Sequence, residues 1–432
     1  MWKATDRHNK AVVAVKKIFD AFQNATDAQR TYREIIFLQQ MNNHENIIGL
    51  KNLLKAENDK DIYLVFEFME TDLHAAIRAN ILEDVHKQYI VYQSFKALKF
   101  MHSAGLVHRD MKPANLLLNA ECLMKVADFG LARSVLDEHG TSGDLEAPCC
   151  TDYVATRWYR APEILVGSAT YGQYVDMWSM GCIFGEMLLG KPIFTGTTTL
   201  NQIEKIAEHL GTPTSEEIDA FKSSFAQSLF DSVATSAADG PSRSSSSSLK
   251  PDAAPAAASS PASAPSAAPI DISEDDGAVG APPAASPLSD TAGAEQQQQQ
   301  QQQQRDERQR RDARLRQRWS EKFPDQSDDA IDLLHSLMCY HPDRRLSAAQ
   351  ALEHGYCSVF HDPSLADNCE KQVTTEGFPD NEKKSVHMYR EKIYKMVDDR
   401  YPAEVIPKAP RNNESSPPRR KTKHAGGRSK RD

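Results

Sequence analysis

The sequence predicts an α+β chain in which a small strand-rich lobe precedes a larger helical one. Three observations carry this reading. Strand-like and helix-like stretches alternate over residues 1–68, and almost every later periodic stretch is helical. Helical core sequence also stands on both sides of one long low-complexity segment. In order, AVVAVKKIF alternates and is β-branched, which suits a strand. It follows DRHNK, a polar turn-like stretch, and a short WKAT segment, so the opening resembles the second half of a larger unit. DAQRTYREIIFLQQM has helical period, with Tyr32, Ile35, Ile36 and Leu38 giving one apolar stripe. NIIGLKNLLKA and DIYLVFEF are the next strands. DVHKQYIVYQSFKALKFMHSAG is a long helix, with Tyr89, Gln93, Ala97 and Met101 at i+4 spacing, Ile90 and Leu98 beside them, and Gly105 as its stop. VDMWSMGCIFGEMLLG and DDAIDLLHSLMCY read as further helices.

Between 228 and 304 the composition collapses to Ser, Ala, Pro and a glutamine run at 296–304. Such a segment cannot bury enough apolar surface to offset its ordering entropy, so disorder is expected. Core sequence on both flanks makes it an insertion within a domain, and loop-closure cost grows only with the logarithm of length. RDERQRRDARLRQRW suits a solvated helix, and globular sequence resumes at Trp319. The expected units are a first lobe at 1–68, a second lobe at 69–227, the insertion at 228–304, the rest of the second lobe at 305–362, and a C-terminal extension at 363–432 with a basic tail.

The net charge of −9 excludes a generally basic nucleic-acid binder; the basic excess is confined to the tail SSPPRRKTKHAGGRSKRD. The seven cysteines show no CxxC spacing, which implies a reducing compartment and neither zinc nor a disulfide framework. No apolar run reaches about eighteen residues, and no signal peptide is legible. The expectation is a cytoplasmic protein without a membrane partner, with the basic tail offering a nuclear alternative.

Chemistry concentrates in VHRDMKPANLLL, KVADFGLAR and TDYVATRWYRAPE. Taken singly, a charged residue in any of these reads equally well as a surface charge or a loop cap. The ordered set VAVK, RE, HRDMKPAN, DFG and APE, each in its expected local context, is far more specific. It resembles the eukaryotic protein kinases over 1–360 less the insertion. The resemblance implies the bilobal kinase fold, with ATP and Mg²⁺ as cofactors. It implies that Lys16 holds the α/β-phosphates and that Glu34 fixes it as an ion pair. It assigns the substrate hydroxyl to Asp110, the γ-phosphate to Lys112, and Mg²⁺ to Asn115 and Asp128. Asp176 would brace the HRD loop, and Glu163 would pair with Arg345 as scaffold.

Thr151-Asp152-Tyr153 before VATRWYRAPE resembles the dual-phosphorylation lip of the mitogen-activated protein kinases of the CMGC group. Arg33, Arg109 and Arg133 would gather a phosphate on Thr151; Arg157 and Arg160 would gather one on Tyr153. IYLVFEFMETDLHAAIR and RLSAAQALEHGYCSVFHDPS are most similar to the atypical extracellular-signal-regulated kinases seven and eight. In that branch Phe66 would close the back of the nucleotide pocket, and Glu67 and Met69 would meet adenine through their backbones. Asp152 departs from the usual glutamate, with little change expected. Asp362 reads either as part of an acidic docking groove or as a solvated surface charge. Substrates would be proteins with Ser/Thr-Pro sites. Activation by an upstream kinase and by self-phosphorylation both stay open. Family members carry a Gly-x-Gly-x-x-Gly hairpin immediately before the segment matching WKAT, and this sequence starts after it. The expectation is an incomplete gene sequence or fragment rather than a loop lost in evolution, with weak ATP binding as written. Other classes also fit: a catalytically weak kinase-fold scaffold, and less well a DNA-associated regulator using the basic tail.

Overall fold

The computed structural model describes residues 1–42, 44–135, 145–146, 157–168, 170–238, 289–364, 368–378 and 382–400. The first lobe is an antiparallel sheet of order β1-β2-β4-β3, built from β1 (Trp2–Thr5), β2 (Val12–Ile18), β3 (Leu50–Lys55) and β4 (Ile62–Glu67). WKAT does pair with the strand after it, Trp2 opposite Val15. The strand expected over NIIGLKNLLKA begins only at Leu50. Upstream of it, Ile47 bridges Val126 in the second lobe, so this stretch ties the two lobes together. Helix α1 (Ala25–Met41) starts where the Asn24 side chain accepts from the Asp27 N–H at 2.9 Å. Every residue from Thr31 to Leu38 is buried, because the helix lies between the sheet and the second lobe.

The second lobe continues with β5 (Thr71–Asp72), α2 (Leu73–Arg78), α3 (Asp84–Ser103), β6 (Leu106–Val107), β7 (Leu116–Leu118), β8 (Met124–Val126) and β9 (Arg133–Ser134). After these come β10 (Leu145–Glu146), α4 (Pro162–Leu165), β11 (Thr170–Tyr171), α5 (Tyr174–Leu189), α6 (Thr199–Leu210) and α7 (Ser215–Ala220). Helices α3 and α5 form its centre, with Ile90, Phe95, Leu98, Trp178 and Phe184 all fully buried. Gly105, at φ 72°, supplies the left-handed residue that ends α3. The chain closes with α8 (Ala226–Ala238), α9 (Ser289–Lys322), α10 (Asp328–Leu337), α11 (Ala348–Glu353) and α12 (Val386–Arg400).

Two expectations about the insertion need correction. Its boundary at 228 falls inside α8, whose Phe230 and Val233 are buried against the second lobe. The glutamine run at 296–304 lies within the 34-residue helix α9. Glutamine, glutamate and arginine are good helix formers. The far end of α9 is anchored: Trp319 is fully buried with its ring 3.9 Å from that of His209, and Arg311 reaches Glu217 at 2.7 Å. Residues 239–288 lie outside the described residues. The C-terminal extension carries α12, which returns to the first lobe and seats Tyr389 and Ile393, both fully buried, against α1.

Candidate active site

The alternation of β2 turns Lys16 inward, opposite Leu64 of β4. Glu34 projects from the buried face of α1, and Lys16 Nζ donates to its Oε1 at 2.5 Å. The Asp128 carboxylate lies 3.9 Å from the same ammonium. Burial strips water from all three groups. It pushes the Glu34 carboxyl up and would push the Lys16 ammonium down. The Glu34 and Asp128 carboxylates outweigh that second effect and hold Lys16 above its ordinary value. Burial also raises Asp128, but Lys16, His108, Arg30 and Lys112 overcome it and keep the carboxylate below its usual range. Asp128 has φ 66°, a left-handed conformation that a side chain adopts only when its surroundings dictate it. That turn aims its carboxylate at Lys16 while Phe129 packs edge-on against His108, with centroids 5.1 Å apart.

The loop through His108, Arg109 and Asp110 hangs from Asp176 at the start of α5. This fully buried carboxylate accepts from the backbone N–H of His108 at 2.9 Å and of Arg109 at 2.8 Å, and lies 3.0 Å from His102 Nε2. Burial would raise Asp176, but its hydrogen bonds and the two histidines keep it low and ionised. Arg109 is held at φ 68°, a cost of order 1–3 kcal/mol. From that bend Asp110 emerges between Lys112 Nζ, at 2.6 Å from Oδ2, and the Asn115 amide, whose Nδ2 donates to Asp110 O at 2.8 Å and to Oδ2 at 3.2 Å. Asn115 thus spends its Nδ2 donors on Asp110. The Asn115 amide oxygen and the Asp128 carboxylate are hard oxygen donors, the kind that suits a cation such as Mg²⁺.

Phe66 is buried in β4 at the back of the cleft. The Glu67 N–H is spent on Gly49 O at 3.2 Å. Its side chain is occupied as well, by the Gly49 N–H at 2.6 Å and by Lys125 at 3.1 Å. Met69 follows, packed against the core. Thr151, Asp152 and Tyr153 lie outside the described residues. Of the arginines assigned to them, Arg33 donates to Gly130 O at 3.2 Å, Arg133 to Ala132 O at 2.9 Å and Arg157 to Thr197 O at 3.0 Å; Arg160 is also engaged. Arg109 Nη1 is buried and has no hydrogen-bond partner among the described residues, its guanidinium stacked 5.2 Å from the Tyr171 ring centre. Glu163 and Arg345 make the expected scaffold pair, bidentate at 2.6 and 2.7 Å. Asp362 is exposed and caps Ser364 through its N–H at 2.9 Å.

Three contributors carry no sequence motif that marks them. Arg30 stands one turn before Glu34 and fills the space beside Gly130, where a Cβ would come within 2.8 Å of its Nε. The i, i+4 spacing from Glu34 was a legible signal. Tyr32 donates to Thr375 O at 2.9 Å, and His102 braces Asp176. Both depend on contacts distant in sequence, which no local pattern announces.

A lysine and a glutamate locked across a cleft from a left-handed Asp-Phe-Gly, above an Asp–Lys–Asn loop braced by a buried aspartate, define a phosphotransferase of the protein kinase class. The protein kinase domain family matches residues 1–250. The chain belongs to the protein kinase family, in its mitogen-activated protein kinase branch. It is 44% identical over 395 residues to extracellular signal-regulated kinase 2 of Dictyostelium discoideum, covering 91% of this chain and 85% of that one. It is 43% identical to mitogen-activated protein kinase 15 of Xenopus laevis, covering 93% of this chain and 55% of the relative. It is also 55% identical over 231 residues to extracellular signal-regulated kinase 7 of Drosophila melanogaster, covering 53% and 25%. The family assignment makes the chain a serine/threonine kinase. Among the described residues no helix is long and apolar enough to cross a membrane.

Proposed function

We propose that this kinase transfers the γ-phosphoryl group of ATP to a serine or threonine followed by proline, and that phosphorylation of Thr151 and Tyr153 switches it on. The observation that carries the phosphoryl-transfer half of this reading is the 2.5 Å Lys16–Glu34 pair facing Asp128, because phosphoryl transfer depends on placed charge more than on covalent chemistry. Lys16 holds the α/β-phosphates, fixed in place by Glu34. Asp110 orients the substrate hydroxyl and takes its proton as the new O–P bond forms and the bond to ADP breaks. Lys112, 2.6 Å from Asp110, shields the γ-phosphate oxygens from that carboxylate. Asn115 and Asp128 would hold Mg²⁺, which would supply neutralisation of the phosphate charge. Phe66, the Glu67 carbonyl and Met69 line the adenine end.

The activation switch is supported by Arg109, which keeps a buried N–H unpaired among the described residues and so has an unfilled demand for an anion. Kinase assays on paired Ser-Pro and Ser-Ala peptides test both halves of the reading. The Ser-Pro peptide is expected to be favoured at least tenfold. The Thr151→Ala/Tyr153→Phe variant is expected to lose most of the rate of the doubly phosphorylated enzyme. Equal turnover of the two peptides overturns the specificity, and equal rates for variant and phosphorylated enzyme overturn the switch.

A further inference from the structure

The end of β4, where the chain passes between the lobes, is held by one lysine from the second lobe. Glu67 is the last residue of β4, and Gly49 exchanges both backbone groups with it. The Glu67 N–H donates to Gly49 O at 3.2 Å, and the Gly49 N–H donates to Glu67 Oε1 at 2.6 Å. A Cβ on Gly49 would lie 3.0 Å from that same oxygen, so the carboxylate fills the space a side chain would take. Lys125, buried in β8, brings its ammonium to 3.1 Å from Glu67 Oε1 and donates to Glu45 O at 2.7 Å. The next residue binds the same segment: the Val126 N–H donates to Asn46 O at 2.8 Å, and the Ile48 N–H donates to Val126 O at 3.0 Å. Residues 45–49 are thus gripped by β8 on one side and by Glu67 on the other, and the Lys125 ammonium contacts both Glu45 and Glu67. Three positions after Lys125 the chain delivers Asp128 to Lys16.

We propose that Lys125 is a positioning residue for the nucleotide, fixing the Glu67–Met69 peptide at a set distance from Asp128. Its role rests on the nucleotide reading above, in which adenine meets Glu67 and Met69 while the phosphates lie toward Lys16 and Asp128. A ligand that spans both ends binds best when the two are already held in register, because their ordering is then complete before it arrives. Without Lys125, the Glu67 carboxylate keeps the Gly49 N–H but loses its cation, and β8 no longer reaches the passage between the lobes through a side chain. Lys125 acts without touching ATP, since its ammonium is spent on Glu67 and Glu45.

The ATP KM and kcat of Lys125→Met in the full chain, with direct titration of a fluorescent ATP analogue, test this. KM and the Kd of the analogue are expected to rise about tenfold, as loss of one charged contact in a part-buried site would give, while kcat changes by less than about threefold. A merely structural lysine gives the opposite split, because fewer folded molecules lower kcat and leave KM alone. Lys125→Arg keeps a cation and several donors and is expected to bring KM back toward the parent value. Glu67→Gln keeps an acceptor for the Gly49 N–H but removes the charge. It is expected to raise KM as well, and to add little to Lys125→Met in the double variant. Should Lys125→Met fail to fold, Glu67→Gln carries the test alone. Parent-like KM and Kd in either variant, or fully additive effects in the double variant, overturn the proposal and leave the nucleotide site standing. A parent chain that does not bind the analogue overturns the nucleotide reading and the proposal with it.

Discussion

Glu163 and Arg345 show how much a single side chain can hold. Both are almost wholly buried, and Arg345 also donates to Cys339 O at 2.8 Å and Tyr340 O at 3.1 Å. Removing one partner leaves the other charged and dry. Arg345→Met is therefore expected to cost about 3–5 kcal/mol in urea denaturation, and Glu163→Gln combined with Arg345→Met should cost less than Arg345→Met alone. A double variant worse than the single one would contradict this. His209 acts through protonation. Burial against Trp319 and the nearby Lys322 and Arg318 charges push its pKa down to about 3. The folded ring stays neutral where the unfolded one takes a proton, so the unfolded chain binds more protons between about pH 6.5 and pH 3. Stability is then full above the unfolded pKa and falls as pH drops through that window, by up to about 1.4 kcal/mol per pH unit. His209→Phe should flatten the slope; a slope unchanged by the substitution would exclude this cause.

Among the elements, α12 has the clearest consequence. Its Tyr389 packs on Tyr32 at 5.7 Å and on Phe378 at 5.4 Å, and Tyr32 lies two positions before Glu34. The C-terminal extension thus backs the helix that carries the Lys16 partner. Tyr389→Ala should cost about 3–5 kcal/mol, as other buried aromatic deletions do. It should also speed amide exchange in α1 relative to α5; equal protection in both variants would show α12 to be a passenger. Little of this was legible beforehand. MYREKIYKMVDDR is about half charged, and its apolar residues gain meaning only from the α1 surface they meet. The strands and long helices were legible because their patterns are local: the alternation in VAVK, the i+4 stripe through Tyr89 and Met101, and the stop at Gly105. Lys16, Glu34, Asp110 and Asp128 were legible for the same reason, since each sits in a short motif with fixed spacing. Helix α8 hid in Ser- and Ala-rich sequence, where Ala226, Leu229, Phe230 and Val233 form the packed face.

Across the whole molecule, two lobes are joined at the Ile47–Val126 bridge and clasped by the returning C-terminal extension. The insertion leaves and re-enters the second lobe through α8 and α9. Deleting 228–304 removes the buried Phe230 and Val233 and should cost several kcal/mol. Replacing only 239–288 with a Gly-Ser linker of about ten residues should change stability by no more than about 1.5 kcal/mol, since each halving of a connection recovers only about 0.6 kcal/mol. Urea unfolding of the two deletions checks this, and equal losses would show the flanking helices to be dispensable. The central claim is that folding brings Lys16, Glu34, Asp110, Asn115 and Asp128 into one phosphoryl-transfer site. Steady-state phosphorylation of a Ser-Pro peptide by Asp128→Ala, with its thermal midpoint measured alongside, tests it most directly. The account predicts that turnover falls by at least about 100-fold while the thermal midpoint stays within a few degrees of the parent; turnover equal to the parent's would contradict it.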